Sequence, residues 1–134
     1  MDVVFLDANV LFSAAYAPDT GLRRRLWDRS DAELLTSRYA VEEARRNLPD
    51  HEQAQRLEAL LGDIRIVGEA VDVSLPEDVT LPPKDRPILQ AAVAAGASHL
   101  ITGDVTHFGP YFGRAVAGVR ILTPAQYLGG GSKG

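Results

Sequence analysis

The sequence predicts an α/β fold, with a central, mostly parallel sheet covered by helices on both faces. Short β-branched apolar runs, such as Val3-Val4-Phe5-Leu6 and Leu100-Ile101-Thr102, alternate with longer stretches whose apolar residues recur at helical spacing. Alternation of this kind builds βα units on a parallel sheet, and right-handed crossovers then put helices on both faces. The chain has 134 residues, of which 46% are hydrophobic. That is enough for one compact core. The expected organisation is a single domain over residues 1–128, followed by a flexible Gly-rich tail at 129–134.

The elements follow in order. Val3 to Asp7 reads as a buried strand and Asn9 to Ala17 as a helix ending near Pro18. Thr20 is placed to cap a second helix through Arg29, with Leu22, Leu26 and Trp27 toward the core. Glu33 to Thr36 is the next strand. Ser37 caps a third helix that ends before Pro49, and Asp50 caps a fourth that buries Ala54, Leu57, Leu60 and Leu61. Ile64 to Val67 is a strand, and Glu69 to Pro83, with its prolines and acids, is a loop. Lys84 to Ala95 is helical and stops at Gly96. Leu100 to Thr102 is a strand, Thr106 to Gly113 a loop, Val119 to Leu122 the last strand, and a short helix starts at Pro124.

Composition excludes several classes. No apolar run approaches the roughly 20 residues of a membrane span, so no membrane partner is expected. Met1-Asp2-Val3-Val4 lacks the basic region of a secretion signal. There are no cysteines, so disulfides and thiolate metal sites are ruled out and a cytoplasmic location is expected. Net charge is −4 and the pI about 5.3, which argues against a generic nucleic-acid binder. Arginines nevertheless crowd the first third, at positions 23, 24, 25, 29, 38, 45 and 46. They form either a basic face or solvated helix surfaces paired with Asp28, Asp31, Glu42 and Asp50.

Chemistry points to four acids at the joints of the chain. Asp7 ends the first apolar run, Glu43 lies in the third helix, Asp85 opens the helix after Pro82-Pro83-Lys84, and Asp104 ends the strand and glycine Leu100-Ile101-Thr102-Gly103. Asp7 and Asp104 stand at the carboxyl ends of strands, where sites form in open α/β sheets. Asp85 lies at the far end of the helix that leads to the Asp104 strand, so strand order and the preceding loop must bring it to the others. Each acid also has a plain structural explanation: Asp7 and Asp85 as helix caps, Asp104 as a turn residue, Glu43 as a solvated helix residue. Glu43 falls beside the apolar stripe of Ala40, Val41, Ala44 and Leu48, whereas Glu42 falls toward solvent.

Gathered together, such carboxylates repel one another: a cation would offset that, and without one some would stay protonated. Mg²⁺ takes oxygen ligands of this type. His51, His99 and His107 show no zinc spacing. Ser37 reads as a cap rather than a nucleophile. Lys84 and Arg86 can contact phosphate or balance nearby acids, Thr102 can order a ligand or end its strand, and His107 can touch substrate or cap its loop. Phe108, Tyr111 and Phe112 can stack on bases or pack.

These residues resemble a known family. Val3-Val4-Phe5-Leu6-Asp7-Ala8-Asn9 resembles the opening of PIN domains, and Thr36-Ser37 through Glu43 to Leu48 resembles their second motif. Lys84-Asp85-Arg86-Pro87-Ile88-Leu89 is similar to the third, Leu100-Ile101-Thr102-Gly103-Asp104 with His107-Phe108 to the fourth, and Ile121-Leu122-Thr123-Pro124 to the close of the fold. The resemblance implies a Rossmann-like three-layer α/β/α PIN fold and a Mg²⁺- or Mn²⁺-dependent ribonuclease. It implies Asp7, Glu43, Asp85 and Asp104 as metal and catalytic acids, with Asn9 ordering the site. It also implies an RNA substrate, and, as in toxins of the VapBC type, an antitoxin protein and a homodimer. One position departs from the pattern: many members carry another acid just before the Phe of the fourth motif, where His107 stands here, which bears on a second metal.

Two other readings remain. The same fold can serve as a catalytically weak nucleic-acid or protein-binding module. A haloacid-dehalogenase-like phosphatase also opens with an apolar strand ending in Asp. That family has a second Asp two residues on, where this chain has Asn9, and Lys84 is the one internal lysine it offers.

Overall fold

The structure, a computed structural model, describes residues 1–17 and 21–130. In chain order it contains β1 (Asp2–Leu6), α1 (Ala8–Tyr16), α2 (Leu22–Trp27), β2 (Ala32–Ser37), α3 (Arg38–Asn47), α4 (His51–Leu61) and β3 (Arg65–Val67). Then follow α5 (Arg86–Ala94), β4 (His99–Ile101), α6 (Val105–Phe108), a 3-10 turn (Gly109–Tyr111), β5 (Ala115–Val116), β6 (Val119–Leu122) and α7 (Pro124–Gly130). Among the described residues the strands form one six-stranded sheet in the order β3-β2-β1-β4-β6-β5. All neighbours are parallel except β5 and β6.

Burial explains the layering. Val4, Phe5 and Leu6 are consecutive in β1, so their side chains point to alternate faces, yet each is fully buried. Both faces of the central strand are therefore covered, as parallel sheets require. Leu35, Leu100, Ile101 and Ile121 continue this core across the sheet, and Leu11, Leu57 and Leu89 reach it from α1, α4 and α5. Leu26 of α2 is buried and Trp27 packs against the core, with its indole N–H donated to the Leu60 carbonyl at 3.0 Å.

The helix boundaries have local causes. Ser37 and Asp50 accept backbone N–H groups of Ala40 and Gln53, which caps α3 and α4. Gly96, at φ +72°, ends α5: its N–H bonds the Val93 carbonyl and that of Ala97 bonds the Ala92 carbonyl, a Schellman closure. The surface arginines with described ion pairs sit on solvated faces. Arg29 meets Asp31 at 2.8 Å, and Arg45 meets Glu58 at 2.8 Å and Glu42 at 3.3 Å.

Several expectations change. Residues 106–113, expected as a loop, hold α6 and the 3-10 turn, because Asp104 caps a helical turn there. β5 is an additional, antiparallel edge strand too short to show a period. Ala54 is half-buried rather than buried. α7 runs to Gly130, so the stretch expected as a tail from 129 begins inside a helix. Thr20 and residues 131–134 lie outside the described residues, and so does the side chain of Leu22. Among the described residues no helix is long and apolar enough to cross a membrane.

The sheet centre should carry the stability. Leu35→Ala is expected to lower the unfolding free energy by about 2–5 kcal/mol, whereas Ile66→Ala on edge strand β3, where Ile66 is 41% exposed, should stay within about 0.5 kcal/mol. Urea unfolding of both variants checks this, and equal losses would contradict the assignment of the core.

Candidate active site

The sheet order reverses between β1 and β4: the chain moves outward through β2 and β3, then returns to build β4 and β6 on the other side. This switch point leaves a crevice beyond the carboxyl ends of the two strands. Asp7 follows β1, and Asp104 follows β4 after Thr102 and Gly103. Crossover helices run antiparallel to the strands, so the start of α5 lies over the same edge. The long loop thus delivers Asp85 to the crevice, and α3 supplies Glu43. A cleft of about 580 Å³ is lined by Asp7, Asn9, Glu43, Asp85 and Asp104, with Lys84, Phe12 and Asn47 around them.

Hydrogen bonds tie the two strand ends together. Asp7 Oδ1 accepts the Ala8 N–H at 2.6 Å, capping α1. Its Oδ2 accepts the Thr102 hydroxyl at 2.8 Å and the Asn9 amide at 3.3 Å. The Thr102 oxygen in turn accepts Asn9 Nδ2 at 3.2 Å and the Asp104 N–H at 3.1 Å. One donor and two acceptors exhaust what a hydroxyl can do. Asn9 Oδ1 accepts the Gly103 N–H at 2.7 Å, and a Cβ at position 103 would stand 3.3 Å from that oxygen, so glycine permits the approach.

The four acids differ in their surroundings. Asp7 is 5% exposed. Burial drives its pKa up to about 6; the bonds from Thr102 and Ala8 pull it down, and the charges of Asp85 and Glu43 push it up again. Asp85 is also raised, first by burial and then by Asp104, against the pull of His107 and Lys84. It stands at the N-cap of α5 but makes no capping bond with its side chain. Asp104 does cap: its Oδ1 accepts the His107 N–H at 3.0 Å. Glu43 is half-exposed at the cleft, while Glu42 points to solvent and pairs with Arg45. Tyr39, one turn before Glu43 on α3, donates its hydroxyl to the Lys84 carbonyl at 2.6 Å, which fastens the loop that carries Asp85.

His107 lies closer to the acids than its place in the sequence indicated. Its Nδ1 is 2.9 Å from Oδ2 of both Asp85 and Asp104. Only the approach to Asp104 has hydrogen-bond geometry, so the buried Asp85 Oδ2 has a close neighbour but no hydrogen bond. A buried carboxylate oxygen left this way, in a donor set of carboxylate oxygens and one imidazole without thiols, fits a divalent cation. Among the described residues, Asp85, Asp104 and His107 bring one ligand atom each within 4.8 Å of one another. Asp7 and Glu43 line the same cleft outside that group, and Arg86 does not line it. Phe108 and Tyr111 are buried in the core and Phe112 is half-buried against it.

A doubly covered, mostly parallel sheet with a carboxylate-lined cleft at its switch point defines a class of small α/β domains. The profile of the PIN domain matches residues 3–106, and the chain belongs to that family. Solved structures agree on the fold. A chain of VapBC2 from Rickettsia felis, crystallised with a DNA fragment from its promoter, is 12% identical with TM-score 0.67, over 90% of this chain and 98% of that one. VapBC-1 from nontypeable Haemophilus influenzae is 15% identical with TM-score 0.58, over 92% and 98%. VapC20 of Mycobacterium tuberculosis, a toxin that cleaves the sarcin-ricin loop, is 14% identical with TM-score 0.54, over 84% and 98%. No curated protein matches the chain by sequence.

The raised pKa of Asp7 has a measurable consequence in the metal-free protein. A folded-state value above the unfolded one favours folding fully below pH 3.8, and this contribution is lost as pH rises through about 6. Relative to Asp7→Asn, the wild type should therefore lose roughly 3 kcal/mol of stability between pH 4 and pH 7. Unfolding free energies of both proteins across that range check it. Parallel pH profiles would contradict the burial of an ionising carboxyl at Asp7.

Proposed function

We propose that this PIN domain is a metal-dependent ribonuclease that cleaves RNA phosphodiester bonds, and that it is the toxin of a toxin–antitoxin pair. The observation that carries the reading is the meeting of four carboxylates from four separate segments in one cleft, with a buried oxygen of Asp85 left without a hydrogen bond. Surface acids gathered by chance are solvated; here Asp7 and Asp85 are buried, and Asp7 is held by bonds from Thr102 and Asn9.

Asp7, Glu43, Asp85 and Asp104 are the residues that would hold Mg²⁺ or Mn²⁺. A bound ion of this kind supplies a water of lowered pKa and neutralises charge building on the phosphate. The chain's own groups do the rest. Thr102 and Asn9 fix the Asp7 carboxylate so that it cannot swing out to solvent. Glu43, half-exposed at the cleft, is placed to take a proton on a carboxylate oxygen as water attacks. Lys84 brings an ammonium to the same cleft, where it can meet a phosphate oxygen. Arg86, half-buried one residue beyond Asp85, serves the flanking phosphates in this reading.

The structural relatives support the biological setting. Two are VapBC assemblies and a third is a toxin acting on the sarcin-ricin loop. By analogy the partners are an RNA substrate, an antitoxin protein and a second copy of the chain, in the cytoplasm. The competing reading, a catalytically weak binding module, draws on His107, which crowds two of the acids with an imidazole.

Purified protein incubated with mixed RNA and Mn²⁺ should cleave it, and a chelator should abolish cleavage. Asp7→Asn and Asp104→Asn should remain folded and lose at least about a hundredfold in rate. Cleavage that survives chelation, or full activity in both variants, would remove the metal-dependent reading and leave the binding module.

A further inference from the structure

We propose that His107 is itself a metal ligand, so that Asp85, Asp104 and His107 form a mixed oxygen–nitrogen site that selects Mn²⁺ over Mg²⁺. The inference rests on the reading of the cleft as a divalent-metal site, and deepens it by assigning a residue outside the four acids and a metal preference.

The geometry carries it. His107 Nδ1 stands 2.9 Å from Asp85 Oδ2 and 2.9 Å from Asp104 Oδ2. A ring nitrogen carries at most one proton, and the hydrogen-bond geometry serves Asp104 alone. The oxygen of Asp85 that faces the same nitrogen is buried, unsatisfied, and belongs to a residue only 9% exposed. Hydrogen bonding thus leaves one of the three atoms without a role. A shared cation gives all three one: ligand atoms on adjacent corners of an octahedron with bonds of about 2.1 Å lie about 3 Å apart.

The position is also built rather than incidental. Asp104 Oδ1 holds the backbone N–H of His107 at the third position of α6, which turns the imidazole back toward the cap. The next residue, Phe108, is fully buried and anchors the turn. The cap and the anchor therefore aim the ring at the two carboxylates from both sides of the residue.

The donor type sets the preference. Mg²⁺ takes oxygen ligands and keeps several waters, whereas imidazole suits transition metals, whose affinity for nitrogen rises from Mn²⁺ onward. An Asp at position 107 would restore an all-oxygen set, and Mg²⁺ would then compete better.

The test uses the full chain with Mn²⁺ as the probe and reads pulsed EPR and metal affinity rather than cleavage. Wild type should bind Mn²⁺ with ¹⁴N hyperfine coupling, which His107→Ala and His107→Asp should lose while retaining bound Mn²⁺. The ratio of Mn²⁺ to Mg²⁺ affinity should fall at least about tenfold in His107→Asp. Mn²⁺ bound to wild type without nitrogen coupling, or coupling that persists in both variants, overturns the assignment of His107 and leaves the metal reading standing. If wild type binds no Mn²⁺ at all, the metal reading fails and this assignment with it. Circular dichroism separates an unfolded variant from a folded one, and the wild-type spectrum decides the matter even if both variants unfold.

Discussion

Holding four carboxylates side by side against their own repulsion is the constraint to which the rest of this structure answers. At Asp7, burial is the main force that lifts the pKa, the bonds from Thr102 and Ala8 oppose it, and the charges of Asp85 and Glu43 add to the rise. The fold meets the constraint by spending its most rigid parts on the acids. β1 and β4 are central, fully covered strands, and the residues just beyond them inherit their fixed backbone. The Asp7 N–H is bonded to the Ile101 carbonyl at 3.0 Å, so the last ladder bond lies directly beneath the site.

Thr102 is the joint through which the two strand ends act as one unit. Its hydroxyl donates to Asp7 and accepts from Asn9 and from the backbone of Asp104. Hydrogen bonds contribute only about 0.5–1.5 kcal/mol each to stability when both partners are neutral, and about 1.5–3 kcal/mol when one is charged. Their larger effect is positional, since a fully satisfied buried network admits one arrangement. Asp85 is held differently. Pro82 accepts its backbone N–H, and Tyr39 grips the loop one residue earlier, but its buried Oδ2 makes no hydrogen bond. That buried oxygen is left for a cation.

Much of this was legible in the chain, and the failures have physical causes. The buried strands and the caps at Ser37 and Asp50 follow from apolar runs and capping chemistry, and Glu43 separates from Glu42 by helical phase alone. α6 has no helical period to read, because four residues are too few, although Asp104 followed three residues later by a hydrogen-bonding side chain is a capping pattern. The same pattern was the available signal for His107. The place of Asp85 follows from direction in space rather than from local sequence: the crossover helix runs antiparallel to the strands, so its first residue, reached through the long loop, lies at the end where the strands finish. The two-residue β5 carries no sequence signal of its own.

The capping explanations and the functional ones are compatible for Asp7 and Asp104, because a cap spends one carboxylate oxygen and leaves the other turned inward. They part at Asp85, which occupies a cap position without capping. The central claim, that the cleft holds a divalent ion on its acids, is tested most directly by anomalous diffraction from crystals grown with Mn²⁺. A strong peak in the cleft, in contact with carboxylate oxygens of Asp85 and Asp104, is the expected result. A cleft without anomalous density at saturating Mn²⁺, with all four acids intact, would contradict it.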